Sequence, residues 1–300
     1  IKAAALNFPD FLIVQGLYQF KPELPFAPGN EGSGVIKKVG KNVTRFNEGD
    51  RVYFMAPWGA FAEEACMHEF GVMPIPDDIS FELAASHQMA YGTSYHALVQ
   101  RGGISNQDEI LVLGASGGVG LAALDIAKAK GARVVAAVST KEKAEICKEY
   151  GADELIIYGE GPKTKDESKA FSNELKSKSL KGGYDIIYDP IGDCYTEPAF
   201  RAIGWKGKYL VIGFAAGDIP KLPINLTLLK GASLVGVFWG TFTGLESEAN
   251  QKNITEINQL LSEGKIKPLI SKEVPMKNAV DAIKMIGNRG VIGKVVLVNK

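Results

Sequence analysis

Cysteine and histidine are scarce in this chain of 300 residues, and neither is grouped. Cys66, Cys147 and Cys194 are scattered. They match neither a disulfide framework nor a zinc ribbon, and a reducing compartment fits them best. His68, His87 and His96 are the only histidines, at spacings that suggest no metal site. Net charge is absent too. Thirty-four basic residues cancel thirty-four acidic ones, so the global electrostatic footprint of a nucleic-acid or acidic-membrane binder is missing. No uninterrupted apolar run is long enough to span a membrane. The stretch from Ile110 to Ala127 comes nearest, broken by glycines, Ser116 and Asp125. No signal peptide is visible. The chain opens without an initiator Met on Ile1-Lys-Ala-Ala-Ala-Leu, which reads as mid-strand and predicts a missing upstream segment. Any targeting signal would lie there, which leaves cytoplasm and mitochondrial matrix both open.

What is present centres on Ile110-Leu-Val-Leu-Gly114-Ala-Ser116-Gly117-Gly118-Val119-Gly120. Four apolar residues of strand character run into a glycine cluster. A small-residue helix follows, with Val119, Ala123, Ile126 and Ala127 at helical spacing. Gly114 would turn the chain off the strand, while Gly117 and Gly118 would let backbone approach a pyrophosphate. Gly120 would allow close helix–strand packing, and the helix N-terminus would present N–H groups to the anion. The spacing is GxxGxxG rather than the strict GxGxxG, so the glycines alone also suit any tight strand–helix turn. Context favours the dinucleotide: Arg133 to Val138 reads as a second strand, Thr140 to Tyr150 as a helix and Leu155 to Ile157 as a third strand.

Six strand candidates alternate with helices here, at 110–113, 133–138, 155–157, 185–188, 208–213 and 233–238. That number suits a full Rossmann sheet. The lysine-rich stretch from Lys163 to Lys181 carries interleaved Asp166, Glu167 and Glu174, and reads as a solvated helix face. Residues 1–90 read as β-rich, with strands at Val35–Val39 and Arg51–Met55 around the turn Asn47 to Asp50. Ala60–Met67 and Val72–Ile75 continue that pattern. After the sixth strand come helices at about 248–262 and 277–286, then a closing strand, Lys294 to Val298. The predicted fold is therefore α/β: a doubly wound parallel Rossmann sheet (91–238) inserted in a discontinuous β-rich domain formed by 1–90 and 239–300.

At the tip of the second strand stand Ser139, Thr140, Lys141, Glu142 and Lys143. Enzymes that prefer NAD place a carboxylate at that tip, on the ribose 2′-OH. Hydroxyls and lysines would instead welcome a 2′-phosphate, which favours NADPH. Ser139 with Glu142 also reads as a capping box for the next helix, a reading compatible with phosphate binding.

Several further motifs run through the chain: Asn7-Phe-Pro-Asp10, Gly16-Leu-Tyr18, Pro28-Gly-Asn-Glu-Gly-Ser-Gly34, Gly49-Asp-Arg-Val52, Tyr188-Asp-Pro-Ile-Gly192 and Gly293-Lys-Val-Val-Leu297. With the glycine turn, they make the chain resemble the zinc-independent quinone oxidoreductase branch of the medium-chain dehydrogenase/reductase superfamily. The resemblance implies a GroES-like catalytic domain around the Rossmann unit. Relatives that use zinc carry Cys where this chain has Asn7, and His where it has Asn30. Asparagine is a poor zinc ligand, so no metal is expected. The resemblance further implies cofactor contacts at Thr93, Lys143, Tyr158, Gly213, Phe214, Phe238 and Arg289. It places Asn7 and Tyr18 along the substrate cleft as hydrogen-bond donors, with Tyr53 a weaker candidate in a plausible core strand. Asp189-Pro190 reads as a turn that ends the fourth strand rather than as a catalytic acid. The apolar strand Ser233 to Trp239 would close one sheet edge and invite pairing into a homodimer. The expected reaction is zinc-free hydride transfer from NADPH to a quinone. Reduction of an enone double bond, and NADPH binding without catalysis, are the alternatives.

Overall fold

In the N-terminal third one strand hides among small residues, at Glu31–Val35, whereas the middle of the chain declares its strands openly. The computed structural model describes residues 1–299. Along the chain run β1 (Ala3–Ala5), β2 (Glu31–Val35), β3 (Arg51–Met55) and β4 (Val72–Pro74). Then come β5 (Glu109–Leu113), β6 (Arg133–Val138), β7 (Glu154–Ile157), β8 (Tyr184–Asp189), β9 (Ile203–Val211) and β10 (Ser233–Gly236). The last two are β11 (Ile270–Pro275) and β12 (Lys294–Val298). Two compact units result: Ile1–Ala90 together with the chain from Pro268 onward, and Tyr91–Lys267.

The second unit is a parallel sheet in the order β10-β9-β8-β5-β6-β7. All five residues of β5 are buried, which is what a central parallel strand covered on both faces requires. Leu111, Leu113, Val135, Ala137 and Ile187 join Phe171, Leu175 and Phe200 in one core. Each fully buried Leu or Phe there contributes roughly 1.5–3 kcal/mol. Strand order reverses between β5 and β8, so a ligand crevice is expected at the carboxyl ends of those two strands.

The second unit runs on to Lys267, where the sequence suggested a boundary at 238. Helix Ser247–Ser262 explains the difference. It buries Ile254, Ile257 and Leu260, and Asn253 exchanges two hydrogen bonds with Gln100, at 2.6 and 3.1 Å. Lys130 pairs with Glu256, and the Asp125 carboxylate accepts the Lys267 amide at 2.7 Å. The lysine-rich stretch forms helix Lys165–Ser177, which buries only Phe171, Ser172 and Leu175.

The first unit is a six-stranded sheet in the order β11-β12-β1-β2-β3-β4. The closing strand β12 lies between β11 and β1, antiparallel to β1. Two expectations fail here. The strand anticipated at 35–39 lies instead at Glu31–Val35, where glycines admit close neighbours. A Cβ on Gly32 would stand 2.8 Å from the Phe54 ring, and one on Gly34 would stand 3.0 Å from the Ile1 backbone. Ala60–Met67 forms no strand. Two of its carbonyls are met outside any ladder: that of Ala62 by the Asn299 side chain, and that of Glu63 by the Ile1 ammonium. Among the described residues no helix is long and apolar enough to cross a membrane.

Candidate active site

The glycine turn sits where the strand order reverses. Gly114, with φ +56°, leaves β5 in the left-handed region. A side chain there would stand 2.7 Å from Ile191, which follows β8. Gly117 caps helix Gly118–Ala129 with no side chain of its own, and its N–H donates to the Gly114 carbonyl at 3.1 Å. Gly120 is the tightest position: a Cβ would lie 2.5 Å from the Gly114 carbonyl oxygen and 2.6 Å from that of Ala115. Ser116 is buried and Val119 half-buried; the Val119 carbonyl accepts the Ser94 hydroxyl at 2.9 Å. The result is a bare backbone turn at a helix N-terminus, the arrangement that receives a pyrophosphate.

At the tip of β6 the Lys143 ammonium donates to the Ser139 hydroxyl at 3.2 Å. Partial burial lowers the Lys143 pKa, because desolvation disfavours the charge. The Ser139–Glu142 capping box does not form. Thr140 caps helix Lys141–Glu149 instead, its hydroxyl accepting the Lys143 amide at 3.3 Å. Ser139 is thereby left to face the lysine. Tyr158 follows β7, half-buried, its ring centroid 4.8 Å from that of Tyr195.

Three loops meet beyond β5, β8 and β9. The buried Asp189 carboxylate organises the one after β8 and ties it to β9. It accepts the amides of Ile191 and Gly192 at 2.9 Å, and the hydroxyls of Thr196 at 2.9 Å and Tyr209 at 2.6 Å. Burial raises its pKa against the pull of these donors. With both oxygens engaged it serves as a turn anchor. Gly213 and Phe214 cross the same place: a Cβ on Gly192 would stand 2.8 Å from the Phe214 ring. Thr93 lies half-buried on helix Gln88–Tyr95. Phe238 lies beyond the sixth strand, which stops at Gly236, and stands at the N-cap of helix Trp239–Leu245. Arg289 belongs to the first unit, exposed in a left-handed turn after helix Ala279–Gly287.

The first unit carries a buried polar cluster built from distant segments. Asn7 caps the short helix Phe8–Ile13, and its amide donates to the Asp10 carboxylate at 2.7 Å. The Asn7 side-chain Nδ2 donates to Glu31 Oε1 at 2.9 Å, while its Oδ1 accepts from Lys294 Nζ at 2.5 Å. Lys294 also reaches Glu31 Oε1 at 2.8 Å, and Glu31 Oε2 accepts the Met89 amide at 2.9 Å. Lys294 is 5% exposed and Glu31 1%. Asn30 donates to the Pro57 carbonyl at 2.7 Å. Asp10 is also buried, its Oδ1 unbonded, and desolvation pushes its pKa up to about 7. Tyr18 is half-buried, and burial with the nearby Asp10 charge raises its hydroxyl pKa. Tyr53 is only 3% exposed, packed with Ile75 and Ala84 and edge-on to His87. Among the described residues no three His, Cys, Asp or Glu side chains group as a metal site.

Sequence reasoning missed Glu31, Lys294 and Asp10 as functional candidates, although each lies inside a motif it singled out. The signal was a charge in the wrong place: Lys294 opens the otherwise apolar strand Lys-Val-Val-Leu-Val.

Comparison with known proteins gives matches over most of the chain. Residues 1–77 match the alcohol dehydrogenase GroES-like domain, and residues 118–259 match the zinc-binding dehydrogenase domain. A quinone oxidoreductase-like protein 2 homolog from Nematostella vectensis is 34% identical over 303 aligned positions, covering 100% of this chain and 80% of the relative. Among solved structures, a mycobacterial protein complexed with NADPH superposes with a TM-score of 0.90 at 28% identity, over 99% of this chain and 90% of its own. Escherichia coli quinone oxidoreductase complexed with NADPH gives 0.87 at 26% identity, over the same shares.

Proposed function

This chain belongs to the medium-chain dehydrogenase/reductase superfamily, among its quinone oxidoreductase-like members, and from that premise we propose that it is an NADPH-dependent reductase of quinones that works without zinc. The observation that carries the cofactor half of this reading is a glycine cradle too tight for any Cβ at Gly120, with Lys143 and Ser139 poised at the tip of β6. Two structural neighbours solved with NADPH agree with it.

Bound NADPH would supply the hydride. The chain's part is to hold and orient. The turn from Gly114 to Gly120 and the first N–H groups of helix Gly118–Ala129 meet the pyrophosphate. Ser139 and Lys143, with Tyr158 near them in the family pattern, take the 2′-phosphate. Thr93, Gly213, Phe214 and Phe238 flank the nicotinamide. Asn7 and Tyr18 donate to the quinone oxygen on which negative charge develops, the task that a metal performs in zinc enzymes.

Zinc independence is supported by the donor set. A cation at Asn7 would have to displace the Lys294 ammonium from Asn7 Oδ1 and Glu31 Oε1. Carboxamides at positions 7 and 30 offer zinc little in return. We also infer a homodimer paired through the edge strand β10. Leu234 is 50% exposed there, with exposed Leu228, Leu229 and Trp205 elsewhere in the same unit; light scattering at twice the chain mass is the expected result. Cytoplasm or mitochondrial matrix suits three cysteines that no disulfide joins among the described residues.

The test is NADPH oxidation against a panel of soluble quinones and α,β-unsaturated ketones, with metal analysis of the same enzyme. Quinone turnover with less than stoichiometric zinc supports the reading. Turnover of enones alone would replace it with a double-bond reductase, and NADPH binding without turnover would leave a cofactor binder.

A further inference from the structure

A carboxamide is nearly symmetric in shape, so packing alone does not decide which end of Asn7 presents its N–H. The neighbours decide it chemically. An ammonium only donates and a carboxylate only accepts. Lys294 Nζ at 2.5 Å therefore fixes Oδ1, and Glu31 Oε1 at 2.9 Å fixes Nδ2. A flipped amide would set N–H groups against the ammonium and a carbonyl against the carboxylate. The triangle closes with Lys294 on Glu31 at 2.8 Å, and Glu31 is itself held by the Met89 amide at 2.9 Å. One Asn7 Nδ2 proton remains outside these bonds.

We propose that Lys294 and Glu31 are positioning residues that lock the Asn7 carboxamide with its remaining N–H toward the substrate oxygen. The inference rests on the reading of Asn7 as a donor to that oxygen. A flipped Asn7 would aim a lone pair at developing negative charge and oppose the reaction it now assists. The ammonium on Oδ1 also polarises the amide, which makes the remaining N–H a stronger donor. Burial of such a pair is not by itself evidence of a stabilising role. Buried ion pairs are often replaceable by apolar residues at no cost, because desolvation consumes the Coulombic gain.

The experiment compares wild type with the charge-free Lys294→Met/Glu31→Gln enzyme, each with and without Asn7→Ala. The glutamine that replaces Glu31 is not a fixed acceptor, since an amide both donates and accepts, so Asn7 is released to flip. With Asn7 present, kcat for quinone should fall at least about tenfold while NADPH affinity stays within about twofold. With Asn7→Ala, the same pair of changes should lower kcat by less than about twofold, since its effect passes through Asn7. Equal losses in both backgrounds would overturn the proposal and assign the pair a purely structural role. Nuclear magnetic resonance of the Asn7 side-chain amide, labelled with nitrogen-15, gives a readout independent of turnover. One Nδ2 proton should be protected from exchange in wild type and lose protection in the charge-free enzyme. An amide unchanged between the two would equally overturn the proposal. If wild type reduces no quinone, the functional reading fails, and the amide signal still decides the orientation. Should the charge-free enzyme not fold, Lys294→Gln is read in the same way.

Discussion

The Lys294 ammonium lies 2.5 Å from the Asn7 carboxamide oxygen, across a sequence separation of 287 residues. The contact puts a positive charge at the position where zinc-using relatives carry a ligand. It leads to a sharper expectation than the identity of the two asparagines alone. Restoring ligand types with Asn7→Cys and Asn30→His should still leave well under one zinc per chain after dialysis against the metal. Adding Lys294→Met should raise that figure clearly. Full occupancy without the lysine change would show that residue types alone keep zinc out.

The glycines of the cradle should separate into two classes. Gly120→Ala places a Cβ within 2.6 Å of two backbone carbonyl oxygens that cannot rotate away. Thermal stability should fall by about 1–3 kcal/mol or more, as overpacking does, and NADPH affinity should fall with it. Gly117→Ala meets only the Gly114 oxygen, at 3.5 Å, and its φ of −75° suits any residue. That variant should melt like wild type yet bind NADPH more weakly, because the methyl group occupies the anion's approach. Calorimetry with a fluorescence titration checks both.

These glycines were legible in the sequence because their argument is local: strand, turn and helix lie within twenty residues or so. The same holds for Ser139 and Lys143, although Thr140 took the cap that Ser139 was expected to supply. Strand β2 was misplaced because Gly32, Ser33 and Gly34 have little strand propensity. Gly32 and Gly34 are there for close approach to Phe54 and Ile1, a tertiary reason that no propensity records. The unit boundary was misplaced for a related cause. Asn253 is polar on a helix face, and only its exchange with Gln100 shows that it points inward. Asn7 could be read as a residue type, but its partners Glu31 and Lys294 come from separate strands.

Lys143 should set the choice of dinucleotide. Its ammonium is partly desolvated and held on Ser139, ready for an anion that NADH lacks. Lys143→Ala should weaken NADPH about ten- to a hundredfold, the worth of one charge-assisted hydrogen bond, and leave NADH within about twofold. The NADPH preference should also shrink as salt rises, since Lys143 is only half-buried. Parallel titrations with the two cofactors at low and high salt give both numbers.

Asp10 makes the stability of the first unit depend on pH in an unusual direction. Desolvation raises its pKa from 3.8 to about 7, against the Asn7 and Gly29 amides and the Lys294 charge, which pull it down, while Glu31 pushes it further up. The folded chain therefore holds a proton that the unfolded chain releases. Its contribution is full below pH 3.8, and is lost as pH rises to about 7. Asp10→Asn keeps an oxygen for the Asn7 amide and removes the titration. Relative to wild type, the variant should gain stability steadily across that window, by at most roughly 1.4 kcal/mol per pH unit, with a constant difference above it. Denaturant midpoints for both proteins between about pH 4 and 9, at about half-unit steps, measure this directly. A difference that does not change with pH would mean that Asp10 is ionised throughout, held by Lys294 more strongly than burial opposes it.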